Sequence, residues 1–135
     1  MIKALTGEPV LVVGAGIMGA GIAQTAAQAG HAVLLFDTRD GAARDAKAKL
    51  SATFDGLVAK GKLTSEAAQA TLARIEPLAQ IDGAANVGLV VEAIVENLDV
   101  KRKVFQELDA ALPPGAILAS NTSSISITTL AATTK

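Results

Sequence analysis

The stretch VLVVGAGIMGAGIA, residues 10–23, decides the fold. Val10–Val13 is a short continuous apolar run, the pattern of a strand buried on both faces. Glycines follow at 14, 16, 19 and 21. In regular structure each costs roughly 0.5–1 kcal/mol relative to alanine, so four of them at a turn and helix start need a reason. Gly14, Gly16 and Gly19 match G-x-G-x-x-G. In that motif the first glycine makes the tight turn. The second lets a pyrophosphate approach the main chain, and the third lets the helix lie close on the strand. The phosphates then sit at a helix N-terminus, where free N–H groups and the dipole favour anions. Gly21 reads as one more close-packing position.

Working outward, the pattern turns helical from Ile17. Ile17, Ile22, Ala26 and Ala29 share a face, and Gly30 ends the helix. HAVLLFD (31–37) reads as a second buried strand. It ends in Asp37, about 20 residues beyond the glycines, where a carboxylate accepts from ribose hydroxyls. The same charge repels a 2′-phosphate and favours NAD over NADP, although Arg39 stands two residues on. Residues 39–60 read as a long helix with Leu50, Phe54, Leu57 and Val58 as its apolar ridge. A further helix follows, capped by Thr64 or Ser65. IEPLAQI (75–81) is a third strand, and its proline confines it to a sheet edge. VGLVVEAI (87–94) is the fourth. NLDVKRKVFQELDAAL (97–112) is an amphipathic helix with Leu98, Val104, Phe105 and Leu108 inward, and AILAS (116–120) is the fifth strand. Strands alternating with helices predict an α/β, Rossmann-type doubly wound parallel sheet of order 3-2-1-4-5, with a long helical excursion after strand two.

Composition narrows the function. The 135 residues are enough for one domain and one core, half are hydrophobic, and the net charge of −1 gives no pull toward nucleic acid or anionic membrane. No cysteine and a single histidine leave almost no ligands for a metal site. There is no apolar run long enough for a membrane helix. MIKALTGEP has no long apolar core or cleavage site of a secretory signal, so the expected location is cytoplasmic. With no Tyr or Trp and three Phe, stacking platforms for bases are nearly absent.

In an open α/β sheet, ligands bind beyond the carboxyl ends of the strands. Three segments fall there: the glycine loop, EAIVEN with Glu92 and Glu96, and SNTSS with Ser120, Asn121, Thr122, Ser123 and Ser124. The hydroxyls of the last can bind a carbonyl or simply cap the next helix, and spacing alone favours caps. Glu92 and Glu96 read equally as site groups or as a cap and a solvated acid.

VVGAGIMGAGIAQTAAQAGHAVLLFD, VVEAIVENLDVKRKVFQELD and ILASNTSSISIT together resemble the N-terminal NAD-binding domain of the L-3-hydroxyacyl-CoA dehydrogenases, from about residue 8 to the end. AKGKLT (59–64) resembles bacterial members that act on 3-hydroxybutyryl-CoA and hydroxyadipyl-CoA. The resemblance implies oxidation of the 3-hydroxyl of an acyl-CoA to a ketone by hydride transfer to NAD. It implies that Gly14, Gly16, Ile17, Met18, Gly19 and Asp37 hold the ADP half of NAD. Glu96 and Lys101 match positions on the nicotinamide-side ribose. Ser123 matches the residue that bonds the reacting hydroxyl beside the nicotinamide, and Asn121 matches an orienting asparagine of the same catalytic loop. Thr53, where some members carry serine, and Lys60, with Lys62 as its neighbour, match positions touching CoA.

The family's general base is a histidine in a GLHFFNP-like segment beyond the serine, and this sequence ends before one. His31, the only histidine, opens strand two at the opposite end of the sheet. TTLAATTK reads as a helix cut short. The expectation is therefore a single NAD-binding domain over 1–135, lacking the helical C-terminal domain that closes the substrate cleft and builds the homodimer, and inactive alone. The alternatives are another NAD-dependent β-hydroxyacid dehydrogenase, which shares G-x-G-x-M-G but lacks the NTSS loop, and a non-catalytic NAD-binding or structural protein of the same fold.

Overall fold

A computed structural model of the chain describes residues 5–84 and 86–135. The beginning of the MIKALTGEP reading, residues 1–4, lies outside the described residues. Five four-residue strands, β1 (Val10–Val13), β2 (Val33–Phe36), β3 (Ile75–Leu78), β4 (Leu89–Glu92) and β5 (Ile117–Ser120), make one parallel sheet of order β3-β2-β1-β4-β5. This is the expected order, and Pro77 sits on the edge strand, paired with Leu35. Among the described residues, no helix is long and apolar enough to cross a membrane.

The helices are α1 (Ile17–Gln28), α2 (Ala42–Ala59), α3 (Ser65–Ala73), α4 (Leu98–Ala111) and α5 (Ile127–Ala131), with a 3-10 turn at Ile81–Ala84. On one face, Val10, Val12, Val33, Leu35 and Ile75 pack against Ala23 and Ala27 of α1 and Ala43, Ala46 and Leu50 of α2. On the other, Leu11, Val13 and Val90 pack against Val104 and Leu108 of α4. The alternation along each strand thus feeds two separate cores.

The helix boundaries differ from expectation where side chains compete for the backbone. α2 begins at Ala42 rather than at 39, because the Arg39 N–H is taken by Asp37 and Gly41 turns the chain at φ +77°. β3 stops at Leu78, three residues short of the strand predicted to 81. α5 stops at Ala131 instead of running to the last residue. The Thr133 and Thr134 hydroxyls donate to the Leu130 and Ala131 carbonyls, a local alternative to continuing the helix.

The inner face of α1 is only half the predicted one: Ile22 and Ala26 pack, half-buried, against the core. Ile17 is 93% exposed and Ala29 is also exposed, while the buried line is Gly19, Ala23 and Ala27. Small residues four apart bring the helix axis close to the sheet, and that closeness leaves Ile17 and Met18 facing outward. Gly21 is not a close-packing position, since a Cβ there would meet nothing within 4 Å.

Candidate functional site

The carboxyl ends of β1, β2, β4 and β5 are tied together beyond the ladder. Gly14 N–H donates to Phe36 O (2.7 Å), Ala93 N–H to Val13 O (2.8 Å), and Asn121 N–H to Glu92 O (2.8 Å). All three segments proposed from sequence therefore meet along one edge of the sheet.

Gly14 has φ +114°, and a Cβ on it would lie 2.5 Å from Ala93 O, so only glycine fits where β1 passes under the β4 loop. At Gly19 a Cβ would lie 1.7 Å from Gly14 O, so α1 rests directly on the turn. Gly16 has only open space around its Cβ position. Gly14 and Gly19 thus have the expected turn and packing geometry, and Gly16 leaves the main chain at the start of α1 open.

The start of α1 is bare. α3, α4 and α5 are each capped by a side-chain oxygen, from Thr64, Asn97 and Ser126. α1 begins at Gly16 with neither a cap bond nor an acid in its first turn. The N–H groups of Gly16, Ile17 and Met18 have no acceptor among the described residues. Such a terminus carries roughly half a positive elementary charge and a set of aligned donors, the requirement for binding a diphosphate.

Asp37 lies beside it. Its carboxylate is nearly buried, at 8% side-chain exposure. Oδ2 accepts from Ala15 N–H at 2.8 Å, and Oδ1 from Arg39 N–H at 2.8 Å. The Arg39 guanidinium donates to Oδ1 through Nε (3.1 Å) and to Oδ2 through Nη2 (3.0 Å). Burial works to raise this carboxyl, but the bonds from Arg39 and Ala15 outweigh it and hold the group below its ordinary value. Asp37 is thus ionised at neutral pH. Its contribution to stability is present above the ordinary carboxylate pKa and is lost only as the pH falls through the lowered folded-state value. The guanidinium, exposed at 68%, is the one replaceable partner, and ribose hydroxyls can take its place.

The third group is at β4 and β5. Lys101, expected on a ribose, is completely buried. Its Nζ donates to Glu92 Oε2 (2.5 Å) and lies 3.2 Å from Glu96 Oε1. Glu96 Oε2 accepts from the hydroxyls of Thr122 and Ser124, each at 2.7 Å. Those hydroxyls of Ser124 and Thr122, with Lys101 behind them, hold the Glu96 carboxyl below its ordinary value against the cost of desolvation. Glu96 is therefore neither a cap nor a merely solvated acid. The α4 cap is Asn97, and the α5 cap is Ser126 rather than the NTSS hydroxyls. Between Thr122 and Ser124, Ser123 is exposed, and its hydroxyl makes no hydrogen bond among the described residues. The side chain of Asn121 is likewise exposed and unbonded there.

Thr53 lines a cleft of about 400 Å³ between α1 and α2, together with Gly16, Ile17 and Arg39. Its hydroxyl donates to Lys49 O. Lys60 ends α2 two turns further on, exposed and outside the lining of this cleft. His31 lies at the far end of the sheet, with Nδ1 3.1 Å from Glu8 O, as its place at the start of β2 implied.

Sequence reading left the roles of Glu92 and Ser120 open. The available signal was a lone acid closing a buried strand, with a lysine on the inner face of the next helix. Lys101 stands three residues before Val104 and seven before Leu108, both buried.

Residues 9–135 match the family described as 3-hydroxyacyl-CoA dehydrogenase, NAD binding domain. The 3-hydroxyadipyl-CoA dehydrogenase of Escherichia coli is 44% identical over 128 residues, 95% of this chain and 27% of that protein. The 3-hydroxybutyryl-CoA dehydrogenase of Bradyrhizobium diazoefficiens is 46% identical over 123 residues, 91% of this chain and 42% of its own length. The crystal structure of 3-hydroxybutyryl-CoA dehydrogenase from Escherichia coli superposes with a TM-score of 0.93 at 44% identity, over 97% of this chain and 28% of that one. The chain thus spans between about a quarter and a half of the length of these relatives.

Proposed function

The chain belongs to the family of NAD-binding domains of 3-hydroxyacyl-CoA dehydrogenases, and from that premise we propose that the whole protein oxidises the 3-hydroxyl of an acyl-CoA to a ketone. The observation that carries the reading is the uncapped, glycine-framed start of α1 beside the Asp37 carboxylate. The donor set fits NAD: free amides for the diphosphate, and an ionised acid for the adenosine ribose. NAD, when bound, accepts the hydride that leaves C3 of the substrate.

The chain's own residues bind and orient the reactants. Gly16 keeps a side chain away from the diphosphate, Gly14 and Gly19 let the turn and α1 close around it, and the first-turn amides, including those of Ile17 and Met18, hold it. Ser123 offers the one unengaged hydroxyl of its loop to the substrate oxygen, with Asn121 orienting beside it. Glu96 and Lys101 serve the nicotinamide-side ribose region, Lys101 acting through Glu96 because its own ammonium is buried. Thr53 and Lys60 meet the CoA moiety. A base must remove the hydroxyl proton as the hydride leaves. No described residue at this edge is a histidine, and a C-terminal portion supplies the base, closes the cleft and pairs two subunits. We place the protein in the cytoplasm. By itself the 135-residue domain binds NAD and does not turn over.

In a dehydrogenase carrying this domain together with that C-terminal portion, Ser123→Ala lowers kcat by about 10²–10³, the usual loss for one oxygen-stabilising donor. The NADH Kd stays within about twofold, since the Ser123 hydroxyl acts on the substrate oxygen rather than on the dinucleotide. An unchanged kcat contradicts the role of Ser123. Absence of turnover in the unsubstituted protein would instead mark an NAD-binding protein without catalysis.

A further inference from the structure

Lys101, Glu92, Ser120, Thr122 and Glu96 form a closed ring of hydrogen bonds. Lys101 Nζ donates to Glu92 Oε2. Ser120 Oγ donates to Glu92 Oε1 at 2.5 Å and accepts from Thr122 N–H at 3.2 Å. Thr122 Oγ1 donates to Glu96 Oε2, and Glu96 Oε1 returns to Lys101 Nζ. Glu92 is completely buried, and it also accepts from Ile94 N–H at 2.7 Å. Its two carboxylate oxygens bond separate elements, α4 on one side and β5 on the other. In register it faces Ser120 directly.

The ring touches neither Asp37 nor the start of α1. What it spans is the gap between the β4 and β5 loops, and Ser123 is the residue it brackets. Rings of this kind are stiff because each bond constrains the next, and a buried charge pair at the centre leaves no relaxed alternative. We propose that Glu92 is a positioning residue: its buried pairing with Lys101 and Ser120 fixes the 120–124 loop, and so sets where Ser123 and Glu96 meet the nicotinamide half of the cofactor. This rests on the proposed role of that loop in the dehydrogenase site.

The test compares NADH with ADP, which lacks both the nicotinamide and its ribose and reports only on the glycine loop and Asp37. Glu92→Gln keeps the size and an acceptor for Ser120 but removes the charge facing Lys101. Ser120→Ala leaves the ion pair intact and removes one link. Both variants of the 135-residue chain are titrated with both ligands, and amide hydrogen exchange is followed at residues 121–124 and 14–19. A loosened loop takes Glu96 off the nicotinamide-side ribose, so NADH should weaken about tenfold in Glu92→Gln, as for one lost hydrogen bond to a charged group, and about threefold in Ser120→Ala. ADP affinity should stay within about twofold, and exchange should quicken at 121–124 but not at 14–19. If Glu92→Gln does not fold, Ser120→Ala decides. Equal weakening of both ligands, or unchanged ratios with unchanged loop exchange, overturns the proposal and leaves the ring a purely structural element. If the unsubstituted chain binds neither ligand, the reading of the cofactor site has failed. The exchange arm then still decides whether Glu92 orders the loop.

Discussion

Gly19→Ala abolishes cofactor binding and lowers the melting temperature by about 10 °C, although alanine is the better helix former by about 1 kcal/mol. The reason is contact. The added methyl would sit 1.7 Å from Gly14 O and 2.7 Å from Gly14 C, half the distance of an ordinary contact with the oxygen. Both atoms are main chain, so no rotamer change relieves the clash. α1 must lift from the turn, carrying its first-turn amides away from the diphosphate position. Overpacking of this kind typically costs about 1–3 kcal/mol, and a clash with backbone belongs at or above the top of that range. Gly21→Ala, two residues along the same helix, is the control. Its Cβ meets nothing within 4 Å, so it should gain up to about 1 kcal/mol. Thermal melts and NADH titration of the two variants check both halves. A Gly19→Ala chain as stable as the unsubstituted one contradicts this packing of α1 on the turn.

Asp37→Ala weakens NADH by about 10–150-fold, the equivalent of one hydrogen bond to a charged group at about 1.5–3 kcal/mol. NADPH moves the other way. The carboxylate that would repel a 2′-phosphate is gone, and Arg39, which spends its Nε and Nη2 on Asp37, is released to meet that phosphate. The ratio of NADH to NADPH affinity should therefore fall by more than either change alone. Adding Arg39→Ala to Asp37→Ala should remove the NADPH gain without restoring NADH. Fluorescence titration with both nucleotides reads all of these. A preference for NADPH in the unsubstituted chain, or an Asp37→Ala chain that still favours NADH, contradicts the assignment of Asp37.

Much of this was legible in the sequence for local reasons. The apolar runs of β1, β2 and β4, the glycine spacing and the edge proline each report constraints that act within a few residues, and the sheet order followed from them. The face of α1 was legible only in part, through Ile22 and Ala26. A helical-wheel reading weighs large apolar side chains, and here Ile17 and Met18 face outward while glycine and alanine make the contact. The closeness of helix to sheet, which selects small residues, is a tertiary quantity. The ring around Glu92 was illegible for a related reason. A glutamate and a lysine nine residues apart show no sign of pairing with each other until β4, α4 and β5 are stacked. Only then does burial force them to pair. The hydroxyls of the NTSS loop show the same limit: spacing favoured caps, yet Thr122 and Ser124 are held by Glu96, and Ser126 is the cap.

The central claim is that a dinucleotide's diphosphate rests on the bare start of α1. It is tested most directly by mapping backbone amide shifts while the chain is titrated with NAD. The largest saturable shifts are expected at Gly16, Ile17 and Met18, followed by Asp37 and Arg39, with His31 at the far end of the sheet unmoved. Saturation with these amides unshifted, or with the changes gathered around His31, would show that the cofactor site lies elsewhere.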